Sequence, residues 1–163
     1  NFAFQRDGYS SQDLSPEVFS KVRAVNLDAV VYGTLAVVPM MEAQGGGSIV
    51  VTVSTAGLVP HTPDPFYTAT KHAAMGWVRS IAPALSDQKV RINAICPGGV
   101  STPLIGIEPE EISSSNRLEP SDVASAIIET ATETETGRAL TVLRSDSPIR
   151  KLFEFAEMSD YRN

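Results

Sequence analysis

Apolar residues recur at helical spacing through Val18, Val22, Val25, Ala29 and Tyr32, the period of one buried helix face. The residues just before them, Leu14-Ser15-Pro16-Glu17, read as a helix start. Ser15 can cap, Pro16 suits the first helical position, and Glu17 complements the positive end of the helix dipole. The pattern predicts a helix to about Ala43, stopped by Gly45-Gly46-Gly47, since glycine takes the backbone conformations that end helices.

The period then changes. Ser48 to Val53 is a short β-branched run, and its near-continuous apolarity fits a strand covered on both faces, as in a parallel sheet. A proline-bearing loop follows, and a second helix is predicted from about Phe66 to Leu85. Val90 to Cys96 reads as the next strand, ending at Pro97-Gly98-Gly99. Val100 to Leu118 is irregular. A third helix opens at Pro120-Ser121-Asp122 and runs to about Thr132. Ala139 to Leu143 reads as a third strand, and Ile149 to Met158 as a final amphipathic helix. Strands alternating with helices of this length predict an α/β fold with right-handed crossovers and a parallel sheet. Residues 1–163 read as a single domain. Three strands make a small sheet, and an apolar first strand left at its edge invites aggregation, so something is expected beside Ile49 to Val53.

Composition narrows the function classes. The formal net charge is −6 and no basic stripe is present, which argues against nucleic acid as a partner. Cys96 is the only cysteine and there are two histidines, so neither an internal disulfide nor a structural zinc site is expected. The longest apolar stretch, Ala29 to Met41, is interrupted by Tyr32, Gly33, Thr34 and Pro39 and reads as too short to span a bilayer. No secretory signal opens the chain. A soluble, cytoplasmic protein is the expectation.

The candidate chemistry lies at the start of the second helix, in Tyr67-Thr68-Ala69-Thr70-Lys71. Residues four apart share a helix face, so Tyr67 and Lys71 can point into one site. Ser54 sits at the C-terminal end of a predicted strand, where open α/β sheets place their ligands. Such a trio suits acid–base work on an alcohol or a carbonyl. A tyrosine ionises near pH ~10, so a useful base near pH 7 needs roughly 4 kcal/mol of help. A nearby ammonium gives help of that sign, and a serine hydroxyl can hold the substrate oxygen during proton transfer. A tyrosine–lysine pair at this spacing has a chance expectation of about 0.1 in such a chain. The serine thirteen residues upstream makes chance a poorer account.

These residues, in this order, resemble the short-chain dehydrogenase/reductase family. Ser54, Tyr67 and Lys71 match its serine and Y-x-x-x-K. Asn26, twenty-eight residues before Ser54, stands close to the place of its catalytic asparagine. Val90 to Gly98 resembles the strand and Pro-Gly turn that follow, and Gly99-Val100-Ser101-Thr102 continues its P-G-x-V-x-T pattern. The resemblance is close over about Asn1 to Thr102 and topological beyond. It implies a Rossmann-like, doubly wound parallel sheet, incomplete here, and hydride transfer between NAD or NADP and a small-molecule alcohol or carbonyl compound. Tyr67 would be the general acid or base. Lys71 would lower its pKa and hydrogen-bond the nicotinamide ribose. Ser54 would orient the substrate oxygen, and Asn26 would hold a relay water through its backbone. Pro97, Gly98, Val100 and Thr102 would line the nicotinamide. The resemblance also implies a homodimer or homotetramer formed through the two long helices.

The departures are as specific. The family's glycine-rich strand–turn–helix, which binds pyrophosphate at a helix N-terminus, is not found in these 163 residues. Gly45-Gly46-Gly47 lies between a helix and a strand, the wrong order for that role. The family's N-N-A-G falls where this chain has Asn1-Phe2-Ala3-Phe4, so only Asn1 and Ala3 match. The chain opens on Asn1 and not on methionine, and a cofactor-binding half upstream is the expectation. Two readings stay open: an NAD(P)-dependent oxidoreductase, or a truncated, non-catalytic fragment or partner subunit without cofactor binding. Cys96 reads as a buried small hydrophobe, His61 and His72 as solvent-facing, and Met75, Trp77 and Ile81 as core or interface. Leu58 to Phe66 and Leu104 to Leu118 are the expected specificity segments, and their apolar residues suggest a lipophilic alcohol or ketone.

Overall fold

The computed structural model describes residues 14–102, 117–144 and 149–156. Asn1 and most of the segment 104–118 lie outside the described residues.

Helix α1, Pro16–Arg23, starts as its sequence predicts: the Val18 amide donates to Ser15 Oγ at 3.2 Å. It passes into a π-helical turn, Ala24–Asp28, and then into α2, Ala29–Ala43. The run turns one face inward. Val22, Asn26 and Thr34 are buried, and Leu27, Val30, Val38 and Met41 pack against the core. Gly45 (φ 93°) and Gly46 (φ 133°) then turn the chain into strand β1. Gly46 admits no side chain, since a Cβ there would stand 2.6 Å from the Lys89 carbonyl oxygen.

Strands β1 (Gly47–Thr52), β2 (Val90–Pro97) and β3 (Ala139–Leu143) are parallel, and β4 (Ile149–Leu152) closes the order β1-β2-β3-β4. Helix α3 (Pro65–Ser86) covers one face, packing Ala74, Met75, Val78, Ala82 and Leu85 on Val51, Ile92, Ala94 and Cys96. Helix α4 (Pro120–Thr132) covers the other, bringing Ala126, Val123 and Ile127 to Ile95, Val142 and Val50. Alternate residues of β2 serve opposite faces, the period of two that a strand imposes. The result is a three-layer α/β sandwich, part of a doubly wound sheet. Among the described residues no strand pairs with the outer edge of β1.

One element differs from expectation. The segment predicted as an amphipathic helix from Ile149 begins as strand β4, antiparallel to β3 with Thr141 opposite Lys151. Pairing satisfies the free edge of β3, and Arg150 reaches α4 to bond Glu129 and Glu133. Long-range pairing and this ion-pair cluster outweigh a local helical period. The membrane argument from length also needs correction. The apolar stretch is part of a continuous 28-residue helical run, Pro16–Ala43, with a window of mean hydropathy 1.5, long and apolar enough to cross a membrane. Gly33 and Pro39 interrupt the sequence pattern without ending the helix.

Candidate active site

The parallel register brings two chain segments out of the sheet at one end. Thr52 lies opposite Ile95, and the Val53 amide donates to the Ile95 carbonyl at 2.8 Å. Ser54 therefore leaves β1 beside the point where Pro97 leaves β2. This is the carboxyl end of the strands, the place at which open α/β sheets hold ligands.

Ser54 caps a short 3-10 turn, Thr55–Gly57, accepting from the Ala56 amide at 3.1 Å. That fixes its side chain at the mouth of the sheet. Gly57 lets this turn lie against α3: a Cβ there would stand 2.5 Å from Val53 Cγ1 and 2.8 Å from the Lys71 carbonyl oxygen. Helix α3 begins at the same level. Asp64, 1% exposed, caps it by accepting from the Tyr67 backbone N–H at 2.8 Å. Pro65 occupies the first helical position, where its missing N–H is no loss.

Tyr67 and Lys71 occupy one face of α3, as their spacing predicts, with Lys71 Nζ 5.4 Å from the Tyr67 ring centroid. Lys71 is 1% exposed, and its ammonium donates to the Thr52 carbonyl at 3.1 Å. Burial pulls its pKa down to about 8, a shift that the nearby Cys96 thiol partly opposes. Tyr67 is half-buried. Burial pushes its phenol upward, Asp64 adds to the rise, and the Ser54 hydroxyl, close by, works in the opposite sense. Burial is the main cause of both shifts, disfavouring the charged form of each group.

Asn26 is buried inside the π-turn of the first helical run. Its side-chain amide donates to Thr70 Oγ1 at 3.2 Å, and the Thr70 hydroxyl donates to the Tyr67 carbonyl at 2.9 Å. The first helix is thus tied to the turn of α3 that carries Tyr67. Gly98 continues from β2, its amide donating to the Val142 carbonyl at 2.9 Å. Val100 makes a parallel bridge to Leu118, and the Ser101 amide donates to the Leu118 carbonyl at 2.8 Å. Val100 and Thr102 are half-buried. Cys96 joins the two groups: it is fully buried, and its thiol is pushed up to about 11 by burial, against the influence of the Ser54 backbone and Lys71.

The structure therefore brings Ser54, Tyr67 and Lys71 to one sheet end and ties Asn26 to them through Thr70. Pro97, Gly98 and Val100 leave the sheet at the same end. Asn1 is outside the described residues. His61 and His72 are exposed, Met75 is buried, and Ile81 packs on the core. Sequence reasoning passed over Thr70 and Asp64. The signal for Asp64 was present, because an aspartate directly before a proline marks a helix cap.

Several known proteins share this arrangement of elements. The sequence profile of the short chain dehydrogenases matches residues 5–111. A cyclohexanol dehydrogenase of Acinetobacter is 42% identical over 96 residues, 59% of this chain and 38% of the relative. The human 15-hydroxyprostaglandin dehydrogenase [NAD(+)] is 41% identical over 99 residues, 57% of this chain and 37% of the relative. The chain thus spans about two fifths of the length of these relatives. Among solved structures, a 3-oxoacyl-[acyl-carrier protein] reductase from Brucella melitensis superposes with a TM-score of 0.74 at 29% identity, covering 86% of this chain and 57% of that one. A carveol dehydrogenase from Mycobacterium avium, solved in complex with NAD, does so with a TM-score of 0.74 at 27% identity, covering 84% of this chain and 59% of that one. By sequence and by fold, the chain belongs to the short chain dehydrogenase family.

Proposed function

We propose that the protein is an NAD(P)-dependent oxidoreductase that interconverts an alcohol and a ketone or aldehyde. The observation that carries this reading is the placement of Tyr67, Lys71 and Ser54 at the carboxyl end of β1, with the buried ammonium 5.4 Å from the phenol ring. The donor set suits the nicotinamide end of a dinucleotide: a buried cation, a half-buried phenol and the Pro97–Gly98 turn. No glycine-rich turn for the pyrophosphate occurs in the 163 residues. The dinucleotide supplies the hydride acceptor or donor when bound.

The chain's own residues handle the proton and the substrate. Tyr67 takes the hydroxyl proton of an alcohol, or returns it to a carbonyl oxygen. Its raised pKa keeps it protonated, and its work as acid or base requires the Lys71 charge to favour the phenolate. Lys71, which donates to the Thr52 carbonyl, would hydrogen-bond the nicotinamide ribose of a bound dinucleotide. Ser54 holds the substrate oxygen, and Asn26 passes the proton outward through a water on its backbone carbonyl. Val100 and Thr102 would hold the carboxamide, and Asn1 would contribute to dinucleotide binding. The apolar Leu58, Val59 and Phe66 after Ser54 favour a lipophilic alcohol or ketone, in keeping with the cyclohexanol and hydroxyprostaglandin in the relatives' names. The exposed side chains of Tyr32, Leu35 and Met40 on α2 support a homodimer or homotetramer.

The test is Tyr67→Phe in the purified protein, assayed with cyclic and long-chain secondary alcohols and either dinucleotide. Turnover should disappear while dinucleotide binding persists. Full turnover by the variant would overturn the assignment. A second reading, a non-catalytic fragment or partner subunit, draws on the missing glycine-rich turn. It requires that the 163-residue chain bind neither NADH nor NADPH, and saturable binding would exclude it.

A further inference from the structure

Thr70 is 1% exposed and faces Asn26, which is equally buried. A hydroxyl has one proton to give and lone pairs to receive, and this one uses both. It accepts from Asn26 Nδ2 at 3.2 Å and donates to the Tyr67 carbonyl three residues back at 2.9 Å. Threonine in a helix commonly bonds back to the preceding turn in this way, and the bond bends the helix slightly. Here the bonded carbonyl belongs to Tyr67. On the other side, Asn26 stands in the π-helical turn Ala24–Asp28, where one extra residue is accommodated and the regular hydrogen-bond ladder is interrupted. The Ala29 amide closes the turn on the Ala24 carbonyl.

We propose that Thr70 is a positioning residue whose buried hydroxyl fixes the π-turn at Asn26 against the backbone of Tyr67, setting the spacing between the relay water site and the proton donor. The proposal rests on the catalytic reading above. Phe19 and Phe66 meet at 5.2 Å one turn below, and Trp77 Nε1 reaches Thr34 Oγ1 at 3.4 Å further along. These two contacts hold the helices together on either side of the site. The Asn26–Thr70 bond lies between them, at the π-turn itself. A change of a few tenths of an ångström there moves the Asn26 carbonyl relative to the Tyr67 hydroxyl without opening the helix pair.

The experiment compares Thr70→Val, which keeps the shape and removes the hydroxyl, with Thr70→Ser, which keeps the hydroxyl. Thr70→Val should lower kcat at least tenfold with KM for alcohol and dinucleotide within about twofold, the mark of an interaction that acts in the transition state only. Thr70→Ser should restore kcat to within about threefold. In an Asn26→Ala background, Thr70→Val should have no further effect on kcat, because the two act as one unit. An unchanged kcat in Thr70→Val, equal losses in Val and Ser, or additive losses with Asn26→Ala would each overturn the proposal. Should Thr70→Val not fold, Thr70→Ala gives the same comparison with Thr70→Ser. The Asn26 side-chain amide signals in a nitrogen–proton NMR spectrum separate this proposal from the catalytic reading. They should shift in Thr70→Val and stay in place in Thr70→Ser even if the parent protein proves inactive. Amide signals unmoved in Thr70→Val would overturn the contact itself.

Discussion

The ammonium of Lys71 donates to the carbonyl oxygen of Thr52 at 3.1 Å, so the helix that carries the proposed acid and base is pinned by a charge to the last residue of β1. A fully buried cation is expensive unless its protons are bonded. The depression of its pKa from 10.5 to about 8 records that expense. Function and stability pull in opposite directions at this residue.

Replacing Lys71 with methionine should therefore abolish turnover and raise thermal stability at pH 7. The sign follows from linkage. In the folded protein Lys71 gives up its proton near pH 8, while in the unfolded chain it does so near 10.5. Between those values the unfolded state binds more protons, so the parent gains stability as pH rises. The advantage of Lys71→Met should be largest below pH 8, on the order of 1–3 kcal/mol, and shrink as pH climbs toward 10.5. Thermal unfolding of both proteins from pH 6 to 10 reads this directly, and a difference that is flat with pH contradicts it.

Gly57 should tolerate no side chain. Because the added Cβ would meet Val53 on one side and the backbone of Lys71 on the other, the turn that presents Ser54 must move as a whole. Gly57→Ala should destabilise by about 1–3 kcal/mol, as overpacking does, and depress kcat as well. Chemical denaturation gives the first number and steady-state kinetics the second. An alanine variant with parental stability contradicts the close packing.

Cys96 should be inert in the native protein. Its side chain is fully buried and its thiol titrates near 11, so thiolate is scarce and inaccessible at neutral pH. Labelling with a maleimide should be absent in buffer and complete in denaturant. Rapid native labelling contradicts the burial.

Asn93 should matter for stability and little for chemistry. Its amide donates to the Glu135 carbonyl at 2.8 Å and accepts from the Arg138 amide at 2.9 Å, stitching β2 to the segment that leads into β3. Asn93→Ala leaves both backbone groups without this partner and should cost about 2–6 kcal/mol, one to three for each. Denaturant unfolding measures it.

Much of this was readable from residue order. The helix cap at Ser15, the glycine stop after Ala43, the three apolar strand segments and the shared face of Tyr67 and Lys71 all follow from local rules, because each depends on residues within a turn or two of one another. What was not readable depends on partners far along the chain. Ile149 to Leu152 pairs with β3 because that edge is open and because Arg150 finds Glu129 and Glu133, none of which appears in the periodicity of the segment itself. The π-turn at Asn26 is likewise invisible to a 3.6-residue count, since the sequence around it remains a good helix pattern. Thr70 acquires its place only when that turn is set against α3.

The parallel register of β1 on β2 acts as a ruler as well as a scaffold. Gly47 stands opposite Val90 and Thr52 opposite Ile95, and the apolar residues of both strands hold that alignment because a slip of one residue would turn every buried side chain to the wrong face. The same slip would carry Ser54 about 3.3 Å along the sheet, away from the level at which Pro97 and Gly98 emerge. The oily core of the molecule therefore sets the spacing between the residue proposed to grip the substrate and the turn proposed to cradle the nicotinamide, and a mutation deep in Val51 or Ile92 can detune the chemistry without touching a reacting group.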